Sequence, residues 1–265
     1  MPDIVERDDK RWGMTLIPQC GAGKRALVLE GAFYGSCVAL MVAAGYSISD
    51  CVEDADVVVF IGGVDVDPAL YGQQKLPQTQ SPSLARDKLE KAVYVEALKR
   101  GIPMFGICRG AQFLHVMNGG ELWQHVEGHA GPDHLIYDTE DDLFVMATSY
   151  HHQMLALNAD IDVLAVTKDQ ISKKFHSENM VIDLSKEGSN ADVEIEIEAG
   201  CYWETKCFFV QGHPEVGSAE YRSWAMTKFE EFVDELEAGG YVTGSTKDAE
   251  SIIEQVEVWR VGADC

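Results

Sequence analysis

"IPMFGICRGAQFLHVMNGG", residues 102–120, is the stretch on which the reading of the fold turns. Its first half is a continuous apolar run, the pattern of a strand buried on both faces. Its second half has helical spacing and closes on two glycines, where helices stop. Between them sits Cys108, with Gly106 and Gly110 two residues to either side. Two explanations fit. A small thiol fills a tight turn, or the turn is sharp in order to hold the sulfur up to a substrate. The second is a nucleophile elbow: strand, strained turn, helix. In an elbow the neighbours pack closely, which accounts for glycines on both sides. The dipole of a helix starting near Arg109 favours thiolate over thiol. The backbone N–H of Arg109 is then free to bind a developing oxyanion.

Working outward, "RALVLE" (25–30) and "ADVVVFIGG" (55–63) read as further buried strands. "FYGSCVALMVAAG" (33–45) and "SLARDKLEKAVYVEALKRG" (83–101) read as helices. In the second of these helices Leu84, Leu89, Val93 and Leu98 lie near one face, which is expected to be the buried one. Strand and helix alternating at this spacing predict an α/β fold, a mostly parallel central sheet with helices on both faces. Ligands of such sheets sit at the carboxyl ends of the strands. "IGGVDVDP" and "GICRGAQ" both fall there. Beyond residue 120 the pattern loosens. "IDVLAVTKD" (161–169) reads as a strand, "DVEIEIEAGCYWETKCFFVQG" (192–212) as a hairpin, and "SAEYRSWAMTKFEEFVDELEA" (218–238) as an amphipathic helix.

The 265 residues carry a net charge of −23, which argues against nucleic acid as a ligand. No run of about 18 apolar residues predicts a membrane span. The N-terminus lacks a signal-peptide pattern, so a cytoplasmic protein is expected. Seven cysteines without a CxxC pair are expected to be reduced thiols.

A cysteine nucleophile needs a base, and "FFVQGHPEVGS" (208–218) supplies one. His213 and Glu215 are two apart at a strand end, so their side chains leave on the same side. Glu215 can accept a hydrogen bond from one ring nitrogen of His213, leaving the other to face the thiol.

"IGGVDVDPALYG", "GICRGAQ", "SYHHQ" and "GHPE", in this order, resemble the motifs of class I glutamine amidotransferases. The closest branch is that of the γ-glutamyl-γ-aminobutyrate hydrolases, the peptidase C26-like type. The resemblance runs from about Arg25 to Phe232 and implies a flavodoxin-like fold with a nucleophile elbow. By this likeness Cys108 is the nucleophile, His213 the general base and Glu215 its orienting partner. Gly63 is the second oxyanion donor beside Arg109. Gln112 contacts the glutamyl part of the substrate, and Ser149, Tyr150 and His151 meet its α-amino acid end. The implied reaction is hydrolysis of glutamine or another γ-glutamyl amide through a glutamyl-thioester, without a cofactor. Released ammonia would pass to a synthase or ligase partner. A stand-alone γ-glutamyl hydrolase, which discards its amine, and a non-catalytic binding module are the alternatives.

The likeness has departures. Gly212 stands where the family has an aromatic residue, which suggests a wider pocket. His115 stands where the branch carries asparagine. Residues 170–191 replace a tight turn and read as an insertion, either a lid or docking surface in which Lys173 and Lys174 attract an anionic group, or a solvated excursion. Residues 1–265 are expected to form a single domain, with 239–265 as a C-terminal extension. His125, His129 and His134 suggest a metal, but Gly128, Gly131 and Pro132 break any helix that would align them, so no metal is expected. Asp65 and Asp67 are expected to shape their loop, with binding of a substrate amine as the alternative. His151 and His152 read as pocket wall.

Overall fold

The computed structural model describes residues 23–158, 160–185 and 195–239. The apolar runs form β1 (Arg25–Val28), β2 (Ser47–Ile48), β3 (Val57–Phe60) and β4 (Met104–Ile107), alternating with α1 (Tyr34–Ala43), α2 (Leu84–Arg100) and α3 (Arg109–Met117). The looser second half forms β5 (Leu122–Trp123), β6 (His125–Glu127), β7 (His134–Asp138), β8 (Leu143–Ala147), β9 (Met154–Leu155) and β10 (Asp162–Thr167). It continues with β11 (Lys174–His176), β12 (Val181–Asp183), β13 (Ile197–Tyr202), β14 (Cys207–Val210) and α4 (Ala219–Ala238).

Nine strands make one sheet in the order β2-β1-β3-β4-β14-β13-β10-β7-β8. From β2 to β14 every pairing is parallel. The remaining four pairings are antiparallel, so only β13 and β7 run against the other strands. Every residue of β3, β4 and β14 is buried, as continuous apolar runs require. Successive side chains alternate between faces. Val57 and Val59 join Phe105 and Phe208 beneath α1 and α4. Val58 and Phe60 join Met104 and Phe209 beneath α2 and α3. The expected α/β architecture is therefore present, with an antiparallel extension beyond β14.

Two expectations are corrected. Leu84 and Leu89 of α2 are exposed, and the buried residues are Asp87, Glu90, Tyr94, Ala97 and Leu98. The helix is turned so that two carboxylates face inward, where Arg109 meets them. The described part of the 170–191 segment, expected as a lid, a docking surface or a solvated excursion, contains two strands that the sequence reading did not identify. β11 pairs with β6 and β12 with β11, forming a three-stranded sheet over a small core of Trp123, Val126, Met154 and Phe175. Lys174 is bound to Glu127 at 2.9 Å, so its charge is answered within the sheet. Residues 186–191, and the extension from 240, lie outside the described residues.

The first turn of α3 lies against β3 with no room for a side chain. A Cβ on Gly110 would stand 2.0 Å from the Phe60 carbonyl oxygen, and one on Gly106 2.8 Å from the Ala111 nitrogen. Backbone cannot yield as a flexible side chain can. Gly110→Ala is therefore expected to cost about 1–3 kcal/mol in urea unfolding. Gly35→Ala, at an exposed position of α1 with nothing within 4 Å of the new carbon, is expected to gain up to about 1 kcal/mol. Equal stabilities for the two variants would contradict this packing.

Candidate active site

The close approach of α3 to β3 leaves Cys108 a single residue in which to turn. It adopts φ 52°, ψ −108°, a conformation that costs a non-glycine residue about 1–3 kcal/mol. Bonds on both sides hold it there: its N–H donates to Val210 O (3.0 Å), and Gln112 N–H donates to its carbonyl (3.1 Å). β14 pairs with β4 in register, Val210 opposite Ile107, so the chain leaving β14 carries His213 to the elbow.

The Cys108 sulfur lies close enough to His213 to act on the proton affinity of its ring. On its other side His213 Nδ1 lies 2.7 Å from Glu215 Oε1. Its backbone N–H donates to Thr148 Oγ1 at 2.6 Å. All three side chains are buried. Burial alone would lower the imidazole pKa, but the neighbouring Cys108 sulfur, joined by the Glu215 carboxylate, raises it to about 10. The Cys37 thiol is pushed up by burial and by the nearby Glu215 carboxylate. Phe33 meets the His213 ring edge-on at 5.2 Å, and Tyr150 lies 5.7 Å from it. Both are exposed, so they flank the histidine at the surface.

A second loop is fixed beside the elbow. Arg86 donates to the carbonyls of Ile61 (2.8 Å) and Gly62 (3.0 Å) and to Glu90 Oε1 (2.7 Å). Gly63 has φ 153°, and a Cβ there would strike Arg86, so only glycine fits. Arg109, fully buried, binds Asp87 and Glu90 and donates to Val64 O at 3.1 Å. Burial draws the Arg109 guanidinium down to about 9, with the charge of Arg86 adding to the fall and Asp87 opposing it. Among the described residues, the N–H groups of Gly63 and Arg109 donate no hydrogen bond.

The structure thus brings Cys108, His213 and Glu215 together and places Gln112, buried, one turn into α3. Of the three residues expected at the α-amino acid end of the substrate, only Tyr150 presents its side chain near His213. Ser149 donates to the His129 carbonyl, and His151 turns inward toward His129. Asp65 and Asp67 do shape their loop, accepting from Gln80 N (2.6 Å) and Ala69 N (3.0 Å). Asp65 also meets His152 at 3.1 Å. Gly212 does not widen a pocket, because a Cβ there would lie 2.5 Å from the Tyr221 hydroxyl. His115 is an interior residue, bound to Tyr202 (2.7 Å) and the Glu121 carbonyl (3.0 Å), and burial lowers it to about 4. Sequence reasoning missed Arg86, Asp87, Glu90, Thr148, Phe33 and Cys37. Charged positions in an amphipathic helix read as a solvated face, and nothing in "LARDKLEKA" distinguishes them.

A family model described as Peptidase C26 matches residues 28–145. A Mycobacterium tuberculosis protein described as a glutamine amidotransferase is 48% identical over 31% of this chain, and the chain spans only 28% of that relative's length. A glutamine amidotransferase-like protein of Lactococcus lactis subsp. cremoris, a YvdE homologue, is 32% identical over 44% of this chain and 73% of its own length. The chain belongs to the glutamine amidotransferase family. The family fold is shared with a Thermoplasma acidophilum protein described as part of a GMP synthase (TM-score 0.55, 12% identity, 82% of this chain and 98% of that one). The expected family is thereby shown. No helix among the described residues is long and apolar enough to cross a membrane.

Two measurements check this geometry. Asp87→Ala leaves the buried Arg109 short of a carboxylate and is expected to lower stability by about 3 kcal/mol or more. A loss under about 0.5 kcal/mol would contradict the pairing. His213 holds its proton more tightly folded than unfolded. The stability it contributes is therefore fully present below about pH 6.5 and is lost as the pH rises through about 10. In Cys108→Ala the ring is expected to titrate lower by NMR. An unchanged titration would show that the sulfur does not act on it.

Proposed function

We propose that the chain hydrolyses a γ-glutamyl amide through a thioester on Cys108. The observation that carries this reading is the arrangement in which Cys108, held at a positive φ at the head of α3, stands beside His213, itself held by Glu215 at 2.7 Å. With the proton of the pair already on His213, the Cys108 sulfur attacks the side-chain carbonyl carbon of the substrate. The N–H groups of Gly63 and Arg109, without acceptors of their own, hold the oxyanion. The tetrahedral intermediate expels ammonia or an amine, protonated by His213. Water, deprotonated by the same ring, then attacks the thioester carbon, and glutamate leaves with Cys108 restored. Gln112 reads the glutamyl part, and Tyr150 with the backbone of Ser149 and His151 receives its α-amino acid end.

Ammonia released here passes to a synthase or ligase partner. The Peptidase C26 match favours a second reading, in which a γ-glutamyl amine is cleaved and the amine discarded. Glutamine and γ-glutamyl amines should be assayed with the native chain and with Cys108→Ala. The variant is expected to lose roughly 10⁴-fold or more in rate. Turnover of no γ-glutamyl compound, or activity kept by the variant, refutes the reading. Preference for glutamine, stimulated by a co-purifying ATP-dependent ligase, separates the first reading from the second.

A further inference from the structure

Behind Tyr150 a second constellation is buried. His151 Nδ1 lies 3.0 Å from the Gln153 carbonyl, so that nitrogen carries the proton and Nε2 presents its lone pair inward. Facing it at 3.1 Å is Nε2 of His129. The other nitrogen of His129 is held 3.1 Å from Glu196 Oε1. Glu196 is fixed in turn by Thr167 Oγ1 (2.8 Å) and the backbone N–H groups of Ile171 (2.8 Å) and Ser172 (2.7 Å). Glu198 Oε1 completes the group, 3.1 Å from His129 Nε2, 3.0 Å from His134 Nε2 and 3.8 Å from His151 Nε2. Glu198 is wholly buried, and its Oε2 has no hydrogen-bond partner among the described residues.

From this arrangement we propose that His129, His134, His151 and Glu198 bind one divalent metal ion of the zinc type. Three imidazole nitrogens and a carboxylate oxygen suit zinc, and four protein ligands with no open position suit a structural site. The ligand atoms of a tetrahedral site with bonds of about 2.0–2.1 Å lie about 3.3 Å apart. Four of the six separations run from 3.0 to 3.8 Å, around that value; His129, His134 and Glu198 are the set whose ligand atoms all lie within 4.8 Å of one another, and His151 closes on them when the ion binds. The alternative is a proton on His129. It leaves one oxygen of the buried Glu198 without a donor, which is costly, whereas a central cation can be reached by both oxygens. The Glu196–His129 and Gln153–His151 contacts are the outer hydrogen bonds that fix ring tautomers around a metal. The helix-breaking residues between His129 and His134 do not prevent the site, because no helix builds it. Its ligands come from the loop after β6, the start of β7, the segment after β8, and β13. Such an ion ties the Ser149–His151 segment, and with it Tyr150, to the central sheet. The proposal does not rest on the chemistry of Cys108.

The test uses the full chain loaded separately with Zn²⁺ and Co²⁺, dialysed, and measured by plasma mass spectrometry and X-ray absorption. About one ion per chain is expected. The absorption spectrum should show a nitrogen and oxygen shell near 2.0–2.1 Å with imidazole scattering and no sulfur. Co²⁺ should show the visible bands of a tetrahedral site. Glu196→Gln, which leaves the metal ligands themselves in place, is expected to weaken zinc binding by about 10–100-fold. Glu198→Gln should weaken it further. Substoichiometric metal after saturation, a sulfur shell, or unchanged affinity in Glu198→Gln would overturn the proposal and leave a proton alone in the cage. If the variants fail to fold, the spectra of the unaltered chain decide.

Discussion

Arg109 is the residue after the elbow cysteine, and its guanidinium has nowhere to go but inward. Taking such a charge out of water costs several kcal/mol, and only paired carboxylates in good geometry offset the cost. Asp87 and Glu90 provide them, which is why α2 turns its charged face to the core and leaves Leu84 and Leu89 in solvent. Glu90 also holds Arg86, and Arg86 grips the carbonyls of Ile61 and Gly62. One buried ionic cluster thus joins the elbow, α2 and the loop that carries Gly63. The two backbone donors assigned to the oxyanion are set by the same four side chains.

The elbow and the base loop were legible because their signals are local. β3 and β4 are unbroken apolar runs, the glycines around Cys108 mark a close approach, and His213 and Glu215 are only two residues apart. The pairing of β14 with β4, which carries His213 to Cys108, is long-range and has no local signature. The same holds for the face of α2. Its apolar stripe is genuine as a pattern, but a buried arginine 19 residues downstream of Glu90 overrides it. The strands in the segment from 170 escaped the reading for a different reason. β11 and β12 have only three residues each and owe their form to β6, some fifty residues earlier.

The histidines show the limit from the other side. His129, His134 and His151 have no regular spacing, and Glu198 lies in a stretch read as a strand hairpin, where nothing local marks it as a partner of histidines some fifty residues or more away. Strands β7 and β13 are neighbours of β10 in the sheet, and this is what brings them together. The cage and the Cys108 site share the segment Ser149–His151: Ser149 anchors the loop of His129, His151 enters the cage, and Tyr150 between them stands at His213. The surface beside His213 and the buried cage are therefore mechanically linked.

The central claim is that Cys108, and no other thiol, is the nucleophile. Four other cysteines among the described residues, Cys37, Cys51, Cys201 and Cys207, provide internal controls. The decisive measurement is intact mass and peptide mapping after brief exposure of the native chain to a glutamine-analogue electrophile. A single adduct on Cys108, absent when His213 is replaced by alanine at the same pH, is the expected result. An adduct on another cysteine, or equal labelling without His213, would contradict it.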